Sequence, residues 1–323
     1  MSETVLKFGN TIGVIAMFFA ILLVVFFAAG RATGRFARPL TIAIFLGPAA
    51  VLLLAGLVIP VIRTVYLSLF NGSSSRFVGG DNYEWAFTAS PIQKVLINTL
   101  LWIVVAPVVT TVIGLAMALL VDRMKRQAFY KSLIFMPMAV SFVGASFIWR
   151  FVYEARGPEQ PQIGLLSQVV MALGWKNPPN WILAQPLNTF LLMVIMIWVQ
   201  TGFAMVVLSA AIKAVPDEIT EAARMDGATG RKLLFQVTIP MIRNTLIVVL
   251  TAIMITTLKV FDIVRTMTGG NFGTQVLANE MYTQSFVFFE NGRGSTLATI
   301  LFVAVLPLVL YNIFQLRRER ATR

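Results

Sequence analysis

The sequence predicts an all-α integral membrane protein with one N-terminal helix and six core membrane-spanning helices. Of its 323 residues 58% are apolar and only 12% are charged, and the mean hydropathy is +0.81. This composition is typical of a protein whose surface faces lipid, whereas a soluble chain of this length would form two domains with charged surfaces. Seven apolar stretches approach the roughly 20 residues that a helix needs to cross the hydrocarbon core. They lie near 11–30, 40–62, 95–120, 132–152, 187–212, 244–264 and 294–316.

Residues 11–30 stand apart from the six core stretches, and a cleaved signal peptide is the alternative interpretation of this segment. Its apolar run is longer than a usual signal-peptide core, and Arg31, Arg35 and Arg38 follow the run instead of preceding it. We therefore expect residues 1–39 to form a retained transmembrane helix and a cytoplasmic linker.

The six core stretches belong to residues 40–323, which are expected to form one transmembrane domain. Four of them carry no charge. Arg150 interrupts the fourth stretch of the chain and Lys259 interrupts the sixth, where the uncharged run from Asn244 ends at Leu258. The outer end of that sixth helix is therefore left open by the sequence.

Basic residues cluster in alternate loops, and this asymmetry predicts how the chain is oriented. The clustered residues are Arg31, Arg35, Arg38, Arg123, Lys125, Arg126, Lys131, Lys213, Arg224, Arg231, Lys232, Arg243, Arg317, Arg318, Arg320 and Arg323. Because cytoplasmic loops carry the excess of Lys and Arg, we expect a cytoplasmic C-terminus and an external N-terminus in a bacterial plasma (inner) membrane. The net charge of +12 then reflects topology, and no nucleic-acid partner is expected.

The residue types exclude most enzyme chemistry. The chain has no cysteine and no histidine, which removes thiol nucleophiles, disulfides and the commonest zinc ligands. No clustered acidic pair lies in the spans to supply a general acid and base. The phosphate-binding pattern G-x-x-x-x-G-K-[ST] is absent from the sequence, so ATP hydrolysis by that route is excluded. Neither a catalytic site nor a metal site is predicted, and a membrane enzyme is the least favoured class.

A charged segment, PDEITEAARMDGATGRKLLFQVTIPMI at 216–242, separates the fourth and fifth core stretches, 187–212 and 244–264. Asp217 is expected to cap a helix at its N-terminus, and Gly227 is expected to end that helix with a positive φ. Three apolar residues share one small face of this helix: Ile219, Ala222 and Ala223. The pattern predicts a short helix on the membrane surface that offers Glu221 and Arg224 to a partner. A solvated loop is the alternative interpretation.

The residue order in this segment resembles the EAA loop of ABC importer permeases. The family pattern is Glu-Ala-Ala, three residues, Gly, nine residues and Ile-x-Leu-Pro. Here EAA at 221–223 is followed by Gly227 and, after nine residues, by VTIP at 237–240. In the family this loop forms the coupling helix, which docks on the cytoplasmic ATPase.

Two further segments are similar to carbohydrate permeases of the maltose type. KVFDIVRTMTGGNFGTQ at 259–275 resembles the family segment that ends in Leu-Thr-Gly-Gly-Gly-Pro, but it has Asn271 and Phe272 in place of the third Gly and the Pro. IFMPMAVSFVGASFIWRFVY at 134–153 resembles the helix that follows the first basic loop. The resemblance covers roughly residues 40–316.

The resemblance implies the transmembrane domain of a type I ABC importer, with six core helices plus the N-terminal one. The cytoplasmic loop at about 213–243 would dock on the ATPase through five residues: Glu221, Ala222, Ala223, Asp226 and Gly227. The implied partners are a second permease subunit, two cytoplasmic ATPase subunits and an extracytoplasmic binding protein. ATP and Mg would be bound by the ATPase, and this chain would hold no cofactor.

The substrate path is expected along the fourth and fifth core helices of the transmembrane domain, at 187–212 and 244–264. Sugars present hydroxyls and apolar ring faces, which amides, hydroxyls and aromatic rings suit. By the resemblance to maltose-type permeases, the contacts are expected at Gln200, Thr201, Phe203, Thr256, Thr257 and Val260. Hydrogen bonding between helices is the alternative role of the polar members. The expected cargo is a carbohydrate, an oligosaccharide or an α-glucoside.

Two alternatives remain at this stage. The same machinery could carry a polyol or glycerol phosphate. An ion-coupled secondary transporter is the other, since Lys259 and Asp262 are three residues apart and would pair on one helix face. Such a transporter would use Asp262 for coupling and would have no use for the EAA loop.

Overall fold

The computed structural model describes residues 37–157 and 159–321, together with residues 13, 16–17, 19–21, 23–24 and 26–27. The predicted helix at 11–30 therefore lies largely outside the described residues. The chain divides into two compact units, Met1–Tyr66 and Leu67–Arg323. The predicted boundary after residue 39 stays a prediction.

The described part of the first unit is dominated by helix α1. It consists of Ala37–Leu53, a π-helical turn at Leu54–Val58 and Ile59–Leu67, whose last residue belongs to the second unit. Its apolar portion, Phe45–Leu67, is long enough to cross a membrane and contains no buried residue. Such a helix requires lipid or another chain around it, because it is apolar on all sides.

The second unit contains twelve further helices among the described residues, and these residues form no sheet. They are α2 (Asp81–Thr88), α3 (Ser90–Val121), α4 (Gln127–Phe135), α5 (Phe142–Val152), α6 (Leu165–Ala172), α7 (Leu187–Lys213), α8 (Asp217–Met225), α9 (Arg231–Leu233, a π-helical turn Leu234–Thr238 and Ile239–Met241), α10 (Arg243–Leu258), α11 (Asp262–Met267), α12 (Leu277–Tyr282, with a π-helical turn Thr283–Val287) and α13 (Asn291–Ala321).

The six core spans that the sequence predicts are present among the described residues, if each bent pair counts as one span. Four described helices are long and apolar enough to cross the bilayer alone, in α1, α3, α7 and α13. The α4–α5 pair and the α9–α10 pair complete six. The span predicted at 132–152 is bent within its range, between α4 and α5, and the span predicted near 244–264 corresponds to α10, which ends at Leu258.

The bend between α4 and α5 is 100°, and the bend between α9 and α10 is 71°. A 3₁₀ turn at Met136–Ala139, which contains Pro137, ends the first of these helices. Ser141 then begins α5, since its hydroxyl accepts a hydrogen bond from the backbone N–H of Gly144 at 3.1 Å. Proline and a fresh N-cap are ordinary causes of a sharp break, and neither alters hydropathy.

The predicted pairing of Lys259 with Asp262 is contradicted. α10 ends at Leu258, Lys259 takes φ −95° and ψ 15° after it, and a new helix begins at Asp262. The helical register that would place both side chains on one face is therefore broken. In the part of the chain that the structure describes, these two residues form no ion pair.

Helix α7 is the centre of the second unit, and small residues allow its neighbours to approach closely. Of the most apolar window of α7, 61% is buried, compared with 33% for α3 and 11% for α13. A Cβ added at Gly114 of α3 would lie 2.5 Å from the Cβ of Ala204. A Cβ added at Gly202 of α7 would lie 2.6 Å from the Cα of Phe135, where α4 ends.

We expect Gly202→Ala to destabilise the folded protein, because a methyl group at this position meets backbone atoms that cannot turn aside. Overpacking of this kind costs about 1–3 kcal/mol of unfolding free energy. The measurement is thermal unfolding of the purified protein in mild detergent. Gly47→Ala is the matched control, since a Cβ at Gly47 of α1 meets nothing within 4 Å. Equal stability of the two variants would contradict this account of the packing.

Candidate functional site

Helix α8 projects from the bundle on the side where α3 and α7 end. None of its residues is buried. Ile219 is 39% exposed and Met225 is 89% exposed, although both side chains are large and apolar. The predicted docking residues lie on this helix and its C-terminal turn, with Glu221, Ala222, Asp226 and Gly227 exposed and Ala223 half-buried. The exposed surface of α8 is therefore accessible to a second protein.

The C-terminus of α8 is a Schellman motif, which explains the glycine. The backbone N–H of Ala228 donates to the carbonyl of Ala223 at 2.9 Å, and that of Gly227 donates to Arg224 at 3.0 Å. Gly227 itself takes φ +81°. This left-handed residue after the helix is the position that glycine fills at least cost. The prediction of a positive φ at Gly227 is confirmed.

The predicted N-cap of α8 was wrong. Pro216 takes the extended conformation with φ −58° and ψ 135°, and the helix begins at Asp217. The Asp217 carboxylate is therefore one residue too late to accept a capping hydrogen bond. It still lies at the positive end of the helix dipole, together with Glu218.

A polar cluster ties α3, α4 and α7 together close to the start of this loop. Asp122, directly after α3, lies 2.7 Å from the Nζ of Lys131 and 3.3 Å from the Nζ of Lys213. The Ser209 hydroxyl donates to the Asp122 carboxylate at 2.8 Å. The Nζ of Lys213 also donates to the Gln127 amide oxygen at 2.6 Å. We call these five residues the Asp122 cluster. Lys213 is the last residue of α7, so the cluster fixes the root of the segment that leads to α8.

The charge state of Asp122 follows from its neighbours. Partial burial alone would raise the pKa of this carboxyl group, but hydrogen bonds from Lys131 and Ser209 and the charge of Lys131 outweigh burial and hold the pKa below the usual 3.8. Asp122 is therefore ionised at neutral pH. The sequence analysis did not single it out, although it is the one acidic residue in the basic turn 122–131.

The structure brings the predicted substrate-path residues onto two adjacent helices, α7 and α10. The Thr257 hydroxyl lies 3.5 Å from the Met196 sulfur across this contact and donates to its own helix at Ile253. Thr201 likewise donates to Ile197 at 2.6 Å. Both threonines are buried, so they stabilise the packing of the helices.

The other predicted path residues are placed differently. Gln200, Phe203 and Thr256 are half-buried, whereas Val260 is buried and lies beyond the end of α10. Thr256 donates to Ala252 at 3.1 Å. No described side chain or backbone group hydrogen-bonds to the Gln200 amide. The Gln200 amide, within the span of α7, therefore remains available to a ligand.

The loop 268–276, after α11, is held by amides from α3 and α7. Asn98 donates to the carbonyls of Gly273 at 2.6 Å and Gln275 at 3.1 Å. Asn188, at the start of α7, donates to the carbonyl of Phe272 at 2.8 Å. The amides thus fix the N-terminal parts of both helices to one loop.

Two consecutive glycines give this loop its course. Gly269 and Gly270 take φ +66° and +87°. A Cβ at Gly270 would lie 2.6 Å from the Asn279 amide nitrogen. Beneath the loop Glu280 is buried and accepts hydrogen bonds from Gln275 at 2.6 Å and Gln284 at 2.7 Å. The Gly-Gly pair that this chain shares with the maltose-type segment is therefore explained by positive φ at both residues and by the close approach of Asn279 to Gly270.

We expect Asp122→Asn to lower the unfolding free energy by about 1.5–3 kcal/mol near neutral pH, since hydrogen bonds to a charged group are lost. Because the folded-state pKa is depressed, the stabilisation is present above pH 3.8 and disappears as the pH falls through the folded-state value. The difference in thermal stability between wild type and variant should therefore be equal at about pH 7 and pH 5 and smaller near pH 3.

Glu159→Gln is the control for this measurement, because Glu159 is exposed. A stability difference for Asp122→Asn that grows on acidification would show that the carboxylate is not stabilised by its lysine neighbours.

Known proteins similar to this chain agree with the geometry. A family model described as "Binding-protein-dependent transport system inner membrane component" matches residues 9–323. The chain is 47% identical over 279 residues to the osmoprotective compounds uptake permease protein GgtC of Synechocystis sp., covering 86% of this chain and 100% of that protein. It is 45% identical over 277 residues to the alpha-glucoside transport system permease protein AglF of Rhizobium meliloti, covering 85% and 82%.

Solved structures show the same fold. A chain of a bacterial ABC transporter involved in the import of the acidic polysaccharide alginate superposes with a TM-score of 0.74 at 19% identity. The match covers 88% of this chain and 97% of that chain.

Proposed function

The chain belongs to the family of binding-protein-dependent transport system inner membrane components, and we propose that it is a permease subunit of an ATP-driven importer for a neutral carbohydrate of the α-glucoside class. It is a multi-pass membrane protein. The proposed assembly contains a second permease, two cytoplasmic ATPase subunits that bind ATP and Mg, and an extracytoplasmic binding protein. The C-terminus and α8 would face the cytoplasm and the N-terminus the outside.

The exposed helix α8 is the observation that carries the proposal. The chain lacks a phosphate-binding loop, so a separate subunit must supply ATP hydrolysis. A partner changes the conformation of the membrane helices only if it contacts the two states differently. α8 offers an exposed surface with a fixed C-terminal turn, and the Asp122 cluster connects its root to α3 and α4. Docking on α8 would therefore move three helices together.

The polar character of α7 and α10 favours a neutral substrate. Between their ends, where Lys213 and Arg243 lie, neither helix contains a charged residue. The partly exposed path residues Gln200, Phe203 and Thr256 supply an amide, an aromatic ring and a hydroxyl, which suit sugar hydroxyls and ring faces. The name of the relative AglF supports an α-glucoside.

A second candidate substrate is an osmoprotective compound, because the relative GgtC carries that description at 47% identity. Uptake is measured with three compounds: a neutral α-glucoside, a polyol to represent an osmoprotective compound, and glycerol phosphate. The compound that is taken up preferentially separates the candidates. Preferential uptake of the α-glucoside supports the proposal, and preferential uptake of the polyol or the phosphate overturns the substrate class. Uptake that persists without ATP and collapses with the ion gradient would indicate a secondary transporter instead.

We expect Gly227→Val to uncouple ATP hydrolysis from uptake while the protein stays inserted. A branched side chain at φ +81° strains the backbone by about 1–2 kcal/mol and opens the C-terminal turn of α8. The new Cβ meets no atom within 4 Å, so the bundle itself is not disturbed. The measurements are uptake by whole cells and ATPase activity of the purified complex. Glu221→Lys, which reverses an exposed charge on α8, should act in the same direction.

Gly174→Val is the matched control for the glycine variant. Gly174 follows α6, takes φ +99° and likewise has nothing within 4 Å of an added Cβ. Normal uptake by Gly227→Val and Glu221→Lys at normal expression would remove the proposal that α8 docks on an ATPase.

We expect Gln200→Leu to raise the α-glucoside concentration for half-maximal uptake about three- to tenfold, as loss of one hydrogen bond predicts. The readout is concentration-dependent uptake at matched expression. Gln168→Leu, on the exposed surface of α6, is the control. An unchanged half-maximal concentration for Gln200→Leu would remove this residue from the substrate path.

A further inference from the structure

A cavity of about 560 Å³ opens at the turn between α3 and α4. It is lined by Lys125, Arg126, Gln127, Ala128 and Phe129. The turn lies at the end of the bundle from which α8 projects, because Lys213 at the end of α7 reaches Gln127. The cavity therefore lies at this end of the bundle, and none of its lining residues belongs to the proposed substrate path.

The two cations of this cavity are not neutralised by the described part of the chain. Lys125 and Arg126 are exposed and form no ion pair with any described carboxylate. Asp122, the only acid in the turn, is already shared by Lys131 and Lys213. The cavity thus carries two free positive charges, and an anionic group is the complementary occupant.

Exposed apolar side chains follow the cations along α4: Phe129 lines the cavity, and Leu133 lies one turn further along the helix. Phe129 is 64% exposed, Leu133 is 54% exposed, and the rings of Phe129 and Tyr130 meet edge to face at 5.6 Å. Aromatic rings at the boundary of the bilayer lie at headgroup depth. A ligand that fits this site therefore has an anionic head and an apolar body, as a phospholipid does.

The start of α4 adds to the positive character of the cavity. Arg126 at its N-cap makes no side-chain capping hydrogen bond, so no cap competes for the backbone N–H groups of the first turn. Three residues of that turn, Gln127, Ala128 and Phe129, line the cavity. Phosphate oxygens accept hydrogen bonds from N–H groups in this arrangement.

We propose that this cavity binds the phosphate group of an anionic phospholipid in the leaflet on the α8 side of the membrane. The lipid phosphate lies against Lys125 and Arg126, and an acyl chain runs along Phe129 and Leu133. Basic pockets beside transmembrane helices recognise anionic headgroups in this way. Gln127 lines this cavity and also belongs to the Asp122 cluster. A bound lipid would therefore also stabilise the end of α7, from which the segment to α8 begins.

The test is native mass spectrometry of the full-length protein, in its purified assembly, titrated with phosphatidylglycerol and with phosphatidylcholine of the same acyl chains. Wild type should retain phosphatidylglycerol, and the double variant Lys125→Gln/Arg126→Gln should retain it at least about tenfold less. Arg76→Gln/Lys176→Gln is the matched control, since both residues are exposed and removal changes the net charge equally. This control should bind as wild type does.

Adding inorganic phosphate as a competitor distinguishes a site for lipid from a site for any free anion. Retention of phosphatidylglycerol that millimolar phosphate does not displace supports the lipid site. Equal binding of phosphatidylcholine and phosphatidylglycerol, equal losses in the two double variants, or displacement by phosphate would each overturn it. Lipid retention is measured without transport, so this result is independent of whether the chain carries an α-glucoside. Thermal unfolding in lipid-free detergent checks that the double variant is folded.

Discussion

The close packing of α7 against α3 and α4 is the contact on which the rest of the structure depends. Within lipid, apolar side chains gain nothing by leaving the solvent, so helices associate through dispersion contacts and a few hydrogen bonds. Gly114 and Gly202 remove the side chains that would hold the backbones apart. The result is a central helix with most of its apolar window buried, around which the bent pairs α4–α5 and α9–α10 are arranged.

Polar contacts secure this packing at both ends. On one side of the membrane, Asn98 and Asn188 bind carbonyl groups of the loop after α11. On the other side, Asp122 joins α3 to α4 and α7 through two lysines and Ser209. Each contact joins different elements and replaces water as the partner of a polar group. The polar contacts therefore restrict the movement of α3 and α7 at both of their ends.

Helices α7 and α8 differ in how much of their surface is free to contact another molecule. The interior of α7 is bound to its neighbours and offers few free polar groups, Gln200 among them. In contrast, α8 has no buried residue and a rigid glycine-dependent end. The Asp122 cluster lies between these regions, and charged hydrogen bonds connect Lys213, at the end of α7, to α3 and α4. These bonds are stronger than neutral ones.

The sequence by itself determined the helical fold, the number of core spans and the left-handed glycine that ends α8. These depend on local properties, since hydropathy over about 20 residues decides whether a helix can span and positive φ favours glycine wherever a helix ends. Only the tertiary structure decided the 100° bend before α5, the separation of Lys259 from Asp262 and the ionic neighbours of Asp122. In each case the outcome depends on backbone direction or on residues distant in the chain. Asp122 meets Lys213 because two spans end side by side, and no local pattern around either residue encodes that.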